Sequence, residues 1–170
     1  MDSAKRAFST HGYSQANVRD IAAEAGITAA LIVRYFGSKE KLFEEAVAEA
    51  FDFDQTFEGT PRAELGNAIT AHLFSEPKEA DLLAMMLLAA SDPTMNHRIR
   101  RLVHARMFRP MVKLIGGTDA ERRATLILSM VTGLWVYRFM LPLKTISDRV
   151  DADTRRQISV LIQQIIDGDD

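Results

Sequence analysis

Between Asn17 and Phe43 the chain reads NVRDIAAEAGITAALIVRYFGSKEKLF, a tract that leaves few folds open. Val18, Ile21, Ala22 and Ala25 recur at i, i+3, i+4 and i+7, the spacing of a helix with one buried stripe. Asn17 stands before that run as an N-cap, and Asp20 places a negative charge in the first turn, where the helix dipole favours it. Gly26 supplies the left-handed residue that ends such a helix. Thr28 then caps a second helix, and Ser38 a third beyond Phe36-Gly37. Two short helices about a glycine turn form a helix-turn-helix, whose second member usually lies in the DNA major groove.

Stepping residues 28 to 36 by 100° gives the second helix two faces. Ala29, Ile32 and Phe36 point inward, where they pack against Ile21, Ala22 and Ala25. Ala30, Leu31 and Arg34 point outward, flanked by Val33 and Tyr35. Arg34 suits guanine O6/N7 or a phosphate, and Leu31 suits a thymine methyl. Thr28, Tyr35, Arg19 and Lys39 suit phosphates, which position a protein without reading sequence. With Asn17, the candidate DNA-facing set is Asn17, Arg19, Thr28, Ala30, Leu31, Arg34, Tyr35 and Lys39. The bland alternative makes Arg34 and Tyr35 ordinary solvated residues on a small helical head.

Ala7-Phe8, Gly12-Tyr13, Val18-Arg19-Asp20-Ile21-Ala22, Ala25-Gly26-Ile27-Thr28 and Tyr35-Phe36-Gly37-Ser38-Lys39-Glu40-Lys41-Leu42 together resemble the DNA-binding domain of tetracycline-repressor-like (TetR/AcrR) regulators. The remainder is similar in layout to that family's helical effector and dimerisation domain. The tract from Gly116 to Leu141 looks like one branch of those C-terminal domains. The resemblance implies a homodimer on a palindromic operator, with the helix that leaves the head carrying a change in the body to the DNA. Two departures stand out. Val33 occupies a position where the family often has a tyrosine that contacts phosphate, and Met1 falls inside the first helix, so the basic arm that often precedes it is not in this sequence.

Charge argues mildly the other way. The chain's net charge is −2, and in the first 47 residues Lys5, Arg6, Arg19, Arg34, Lys39 and Lys41 are cancelled by Asp2, Asp20, Glu24, Glu40, Glu44 and Glu45. Only cations that face phosphates add to binding, so distribution matters more than the sum. The chain has no cysteine, which excludes disulfides and thiolate metal sites and fits a reducing cytoplasm. The longest apolar tract, Leu126 to Leu141, is broken by Ser129, Thr132 and Arg138, so it reads as a buried helix rather than a membrane span.

The fold class is all-α: a three-helix head over residues 1–45, joined through a fourth helix to a body over 46–170, with about nine helices in all. Expected spans are 2–11, 18–25, 29–35, 39–57, 61–74, 78–90, 94–115, 119–141 and 152–167, punctuated by Gly59-Thr60-Pro61, Ser75-Glu76-Pro77, Ser91-Asp92-Pro93, Gly116-Gly117-Thr118 and Pro142. Pro110 should kink or split the seventh. Thr118 with Glu121 makes a capping box for the eighth. That eighth helix is apolar nearly all round and must be covered all round. Ser129 and Gly133 on it, with Ile158, Leu161, Ile162 and Ile165 on the last helix, are the candidate dimer interface.

Phe57, Met86, Phe108, Met111, Trp135 and Phe139 are candidates for an apolar cavity that takes a small molecule. Arg138, a guanidinium in an apolar helix, needs a partner, and a carboxylate across the dimer is the expected one. His97 and His104 lie on one helical face among arginines, a solvated basic strip rather than a zinc site. No metal, no cofactor and no catalytic motif is expected, so the chain does not read as an enzyme. These observations point to a cytoplasmic, ligand-responsive, homodimeric DNA-binding repressor, with operator DNA, a second copy and a small effector as partners. The alternative is a small-molecule sequestering module whose head has lost DNA binding.

Overall fold

The computed structural model describes residues 1–50, 52–75, 81–147 and 150–168. Among them all regular structure is helical: α1 Asp2–Gln15, α2 Val18–Glu24, α3 Ala29–Phe36, α4 Lys39–Ala50, α5 Phe53–Phe57, α6 Leu65–Leu73, α7 Leu82–Ala90, α8 Asn96–Val103, α9 Arg109–Ile115, α10 Ala120–Trp135, α11 Lys144–Ser147 and α12 Ala152–Asp167. A 3-10 turn at Arg62–Glu64 leads into α6, and π-helical turns at His104–Phe108 and Val136–Met140 follow α8 and α10. Among the described residues no helix is long and apolar enough to cross a membrane. The chain forms two compact units, one from residues 1–52 and 77–106, the other from 53–76 and 107–170.

In the first unit α1, α4 and α7 share an apolar core of Ala4, Phe8, Tyr13, Leu42, Phe43, Ala46, Val47, Met85 and Met86, all buried. Phe8 and Tyr13 meet Phe43 edge-on, with ring centroids 5.1 and 5.6 Å away, the geometry that aromatic quadrupoles prefer. The helical backbone of α1 is interrupted at Gly12, whose φ of 70° suits glycine. A Cβ there would stand 3.0 Å from Leu88 Cβ, so α1 and α7 pack as closely as side chains allow. Asp81 caps α7 through the amides of Leu83 and Ala84. The expected start of this helix at 78 lies outside the described residues.

In the second unit α6 lies against α12, and Gly66 is the point of closest approach: its amide donates to Gln163 Oε1 at 2.8 Å. Arg62 and Arg123 serve the helix ends. Arg123, nearly fully buried, donates to the carbonyls of Gly116 and Thr118 at 2.6 Å each and to that of Ile166. Arg62 reaches the carbonyls of Ile115 and Ile166. Two guanidinium groups thus satisfy carbonyls that α9 and α12 leave at their C-termini, where the dipole also favours a cation.

Several expected spans are divided. The single helix of 39–57 is α4 followed by α5, with Asp52 non-helical and Phe51 outside the described residues. Phe53 and Phe57 continue the stripe of Leu42 and Ala46 at helical spacing, so periodicity carries no mark of the break. Pro110 does split its helix, two residues after a π-helical turn, and Pro142 stands two residues after the other such turn. A proline has no N–H for the carbonyl four residues back, and the ladder shifts by one ahead of it, as Leu141 N–H to Val136 O illustrates at 2.9 Å. The capping box at Thr118 does not form: α10 starts after Asp119, left-handed at φ 55°, with no side-chain cap, and the Thr118 carbonyl goes to Arg123.

Candidate nucleic-acid interface

The N-terminal tract folds with short-range bonds that its sequence dictates. Asn17 Oδ1 accepts from the Arg19 amide at 2.9 Å, Thr28 Oγ1 from Leu31 and Ser38 Oγ from Lys41, each at 3.3 Å. Gly26 and Gly37 adopt φ of 68° and 81° where α2 and α3 end. α3 buries Ile32 and half-buries Ala29 and Phe36, while Ala30, Leu31, Val33, Arg34 and Tyr35 are exposed, Tyr35 at 83%. Ala25, expected in the buried stripe, is exposed instead, because α2 ends at Glu24 and Ala25 is its C-cap. Ile21 and Ala22 alone supply the inner face of α2, beside half-buried Val18.

Three acids of the head have partners outside α3. Glu24 pairs with Arg6 at 2.6 Å, and Glu44 with Arg98 at 2.6 Å. Glu40 accepts from the Tyr13 hydroxyl at 2.7 Å. Ser38 and Tyr13 together hold the Glu40 carboxyl down from 4.5 to about 2, while burial and that carboxylate push the Tyr13 phenol up. Arg19 and Arg34 stay exposed. α3 itself carries Arg34 and no acid, so the zero charge sum of the head is not the charge of α3.

Next to α3 the end of α1, the start of α2 and the start of α4 enclose an open depression of about 510 Å³, lined by Ser14 to Arg19, Ala29, Val33 and Lys39. Lys39, one of the phosphate candidates, is half-buried. Its ammonium lies 4.5 Å from the centre of the Tyr13 ring and 3.4 Å from the Ser14 carbonyl, and burial lowers its pKa. So Asn17, Arg19 and Lys39 come together at one depression beside α3, and Thr28, Ala30, Leu31, Arg34 and Tyr35 belong to α3 or its cap. Sequence reasoning missed Tyr13 and Ser14 as the seat of Lys39.

The bond network gives a pH prediction. Glu40 has a folded pKa below its unfolded value, so its contribution is complete above 4.5 and is lost as pH falls towards about 2. Asp92 behaves alike, lowered from 3.8 to about 2 by the Ser14 hydroxyl and by Thr94. Unfolding of the wild type should become easier across that acid window, and Glu40→Gln should flatten the slope when chemical denaturation is followed against pH.

The other candidates fall as follows. Phe57, Met111 and Trp135 are buried in the second unit, Phe108 is half-buried, and Phe139 is 37% exposed with its ring 5.3 Å from that of Trp135. Met86 is buried in the first unit. Of the dimer candidates, Ile158 and Ile162 are buried within the chain's own second unit; Ser129 and Leu161 are exposed, and Gly133 and Ile165 partly so. The face of α12 left outward carries Val160 with Leu161, one residue round the helix from the expected stripe. Arg138 finds its partners inside the chain: it donates to the carbonyls of Leu73 and, at 3.1 Å, Ser75, and lies over the rings of Phe74 and Phe139. Among the described residues no group of His, Asp or Glu is arranged to hold a metal ion.

The fold is shared with solved structures of low identity. A TetR-family regulator from Streptomyces coelicolor A3 is 21% identical, with 98% of this chain and 91% of that one covered at a TM-score of 0.59. A TetR-family transcriptional regulator from a Rhodococcus species is 14% identical, with 98% and 100% covered at 0.71. A transcriptional regulator from Cytophaga hutchinsonii is 13% identical, with 97% and 91% covered at 0.51. No curated protein matches the chain. Residues 1–46 match the family model of bacterial regulatory proteins, tetR family, and residues 63–166 match that of the tetracyclin repressor-like C-terminal domain. On these matches the chain belongs to the TetR family of transcriptional regulators.

Proposed function

We propose that the chain is a homodimeric repressor that binds a palindromic operator through α3 and releases it when a small apolar or amphipathic effector binds the second unit. The observation that carries the DNA contact is the exposed outer face of α3, with Arg34 and Tyr35 beside a depression walled by Arg19 and Lys39. Arg34 reads a base edge, and the remaining cations and hydroxyls place the protein on phosphates. Dimerisation is supported by the apolar surface that one chain leaves uncovered: Leu126 on α10 and Leu161 on α12 are 49% and 51% exposed, and nothing lies within 4 Å of a Cβ at Gly133. The effector would need a higher affinity for the DNA-incompetent state, and operator would weaken effector binding by the same factor. Such a protein works in the cytoplasm and needs no cofactor.

Salt-titrated binding to duplex DNA tests the reading. Arg34→Ala should weaken operator binding by about 1–3 kcal/mol, while Lys39→Ala should weaken binding to every sequence and lower the salt slope by about 1. A wild-type chain with no salt-dependent affinity for duplex DNA, its flanking sequences included, would leave the sequestering module as the better description.

A further inference from the structure

Lys39 lies at the depression beside the end of α1, and the end of α1 is gripped from the corner between α7 and α8. Ser14 Oγ donates to Asp92 Oδ2 at 2.5 Å, while the carbonyl of the same serine accepts from Lys39. Asp92 is itself fixed, its other oxygen taking the Thr94 amide at 2.8 Å and the Thr94 hydroxyl at 2.6 Å. Two residues earlier, Gly12 presses on Leu88 at the limit of Cβ contact. Ser14 to Asn17, the stretch held in this way, is one wall of the depression. All of these residues lie in one compact unit.

We propose that Asp92 is a positioning residue for the DNA contact: through Ser14 it fixes the carbonyl that seats the Lys39 ammonium at the wall of the depression. The inference rests on the DNA-binding reading above. Its consequence is that the corner between α7 and α8, remote in sequence from the helix-turn-helix, sets how well one phosphate is held. The carboxylate has a second effect of opposite sign, since its charge repels a phosphate. The hydrogen-bonded seat is taken as the larger effect: Asp92 grips Ser14 and is itself held by Thr94, and the Ser14 carbonyl is an acceptor for Lys39.

The test is the salt slope for a mixed-sequence duplex, with the full chain and with Lys39→Ala, Asp92→Ala, Ser14→Ala and the Lys39→Ala/Asp92→Ala double variant. Ser14→Ala removes only the hydroxyl and serves if Asp92→Ala does not fold. Lys39→Ala should lower the slope by about 1. Asp92→Ala and Ser14→Ala should each lower it by most of that amount, and the double variant no further than Lys39→Ala alone. A lower unfolding midpoint with an unchanged slope would reduce Asp92 to a structural role and overturn the inference. Tighter binding by Asp92→Ala would overturn it too, by making repulsion the larger effect. An unaltered slope in Lys39→Ala removes the phosphate contact itself and the inference with it, a different result from a wild type that does not bind DNA.

Discussion

Gly66→Val should destabilise the second unit by about 3 kcal/mol, and Gly66→Ala by about 2 kcal/mol. A Cβ at this position would sit 2.5 Å from the Ser159 carbonyl oxygen, 2.8 Å from Gln163 Cβ and 2.9 Å from the Gln163 amide nitrogen. Two of those three atoms are backbone, so a side-chain rotation cannot relieve the clash, and α6 and α12 must separate. Separation also stretches the bond from the Gly66 amide to Gln163 and the bond from Ser159 to Asn67. Against this stands only the gain of about 1 kcal/mol that alanine brings to a helix interior. Denaturant titration followed by Trp135, the chain's one tryptophan and a member of the same unit, measures the loss. An unchanged midpoint for Gly66→Val would mean that the two helices do not pack at this distance.

Removing the guanidinium of Arg123 should cost about as much, on the order of 3 kcal/mol for Arg123→Ala. The side chain is 6% exposed and holds the carbonyls of Ile166, Gly116 and Thr118 at once. An alanine leaves three acceptors facing a vacated space, and each poorly satisfied acceptor costs about 1–3 kcal/mol, reduced where water enters. Arg123→Lys should recover only part of the loss, because an ammonium lacks the planar fork that spans two chain segments. Arg62 still serves the Ile166 carbonyl, so that acceptor is the least affected and the Gly116–Thr118 turn the most. Hydrogen exchange in residues 116–120 should therefore rise more than in the last turn of α12. Equal protection in variant and wild type would contradict the capping role.

What could be read from the residues was local. The caps of α2, α3 and α4 are bonds between positions two or three apart, so the choice of Asn17, Thr28 and Ser38 already contains them. The buried and exposed faces of α3 follow from its period, and the glycines that end α2 and α3 from the need for positive φ. Two of the errors have a common form. Ala25 fits the stripe by spacing yet lies past the end of its helix; Phe53 and Phe57 fit a continuous stripe yet belong to a separate helix. Periodicity says which way a residue would point if the helix went on, not whether it does.

By itself the sequence determined the all-helical class, the helix-turn-helix with its turn residues, and the outward set Ala30, Leu31, Arg34 and Tyr35. Each is fixed by propensity and period within a few residues. Only the tertiary structure decided where the charged groups go. Arg138 ends at the carbonyls of Leu73 and Ser75, Arg123 at two helix ends, and Lys39 on a seat formed by Tyr13 and Ser14. Most of these partners stand tens of residues apart in the chain. A long cationic side chain can be satisfied by any acceptor within reach, and which one comes within reach depends on how the helices pack.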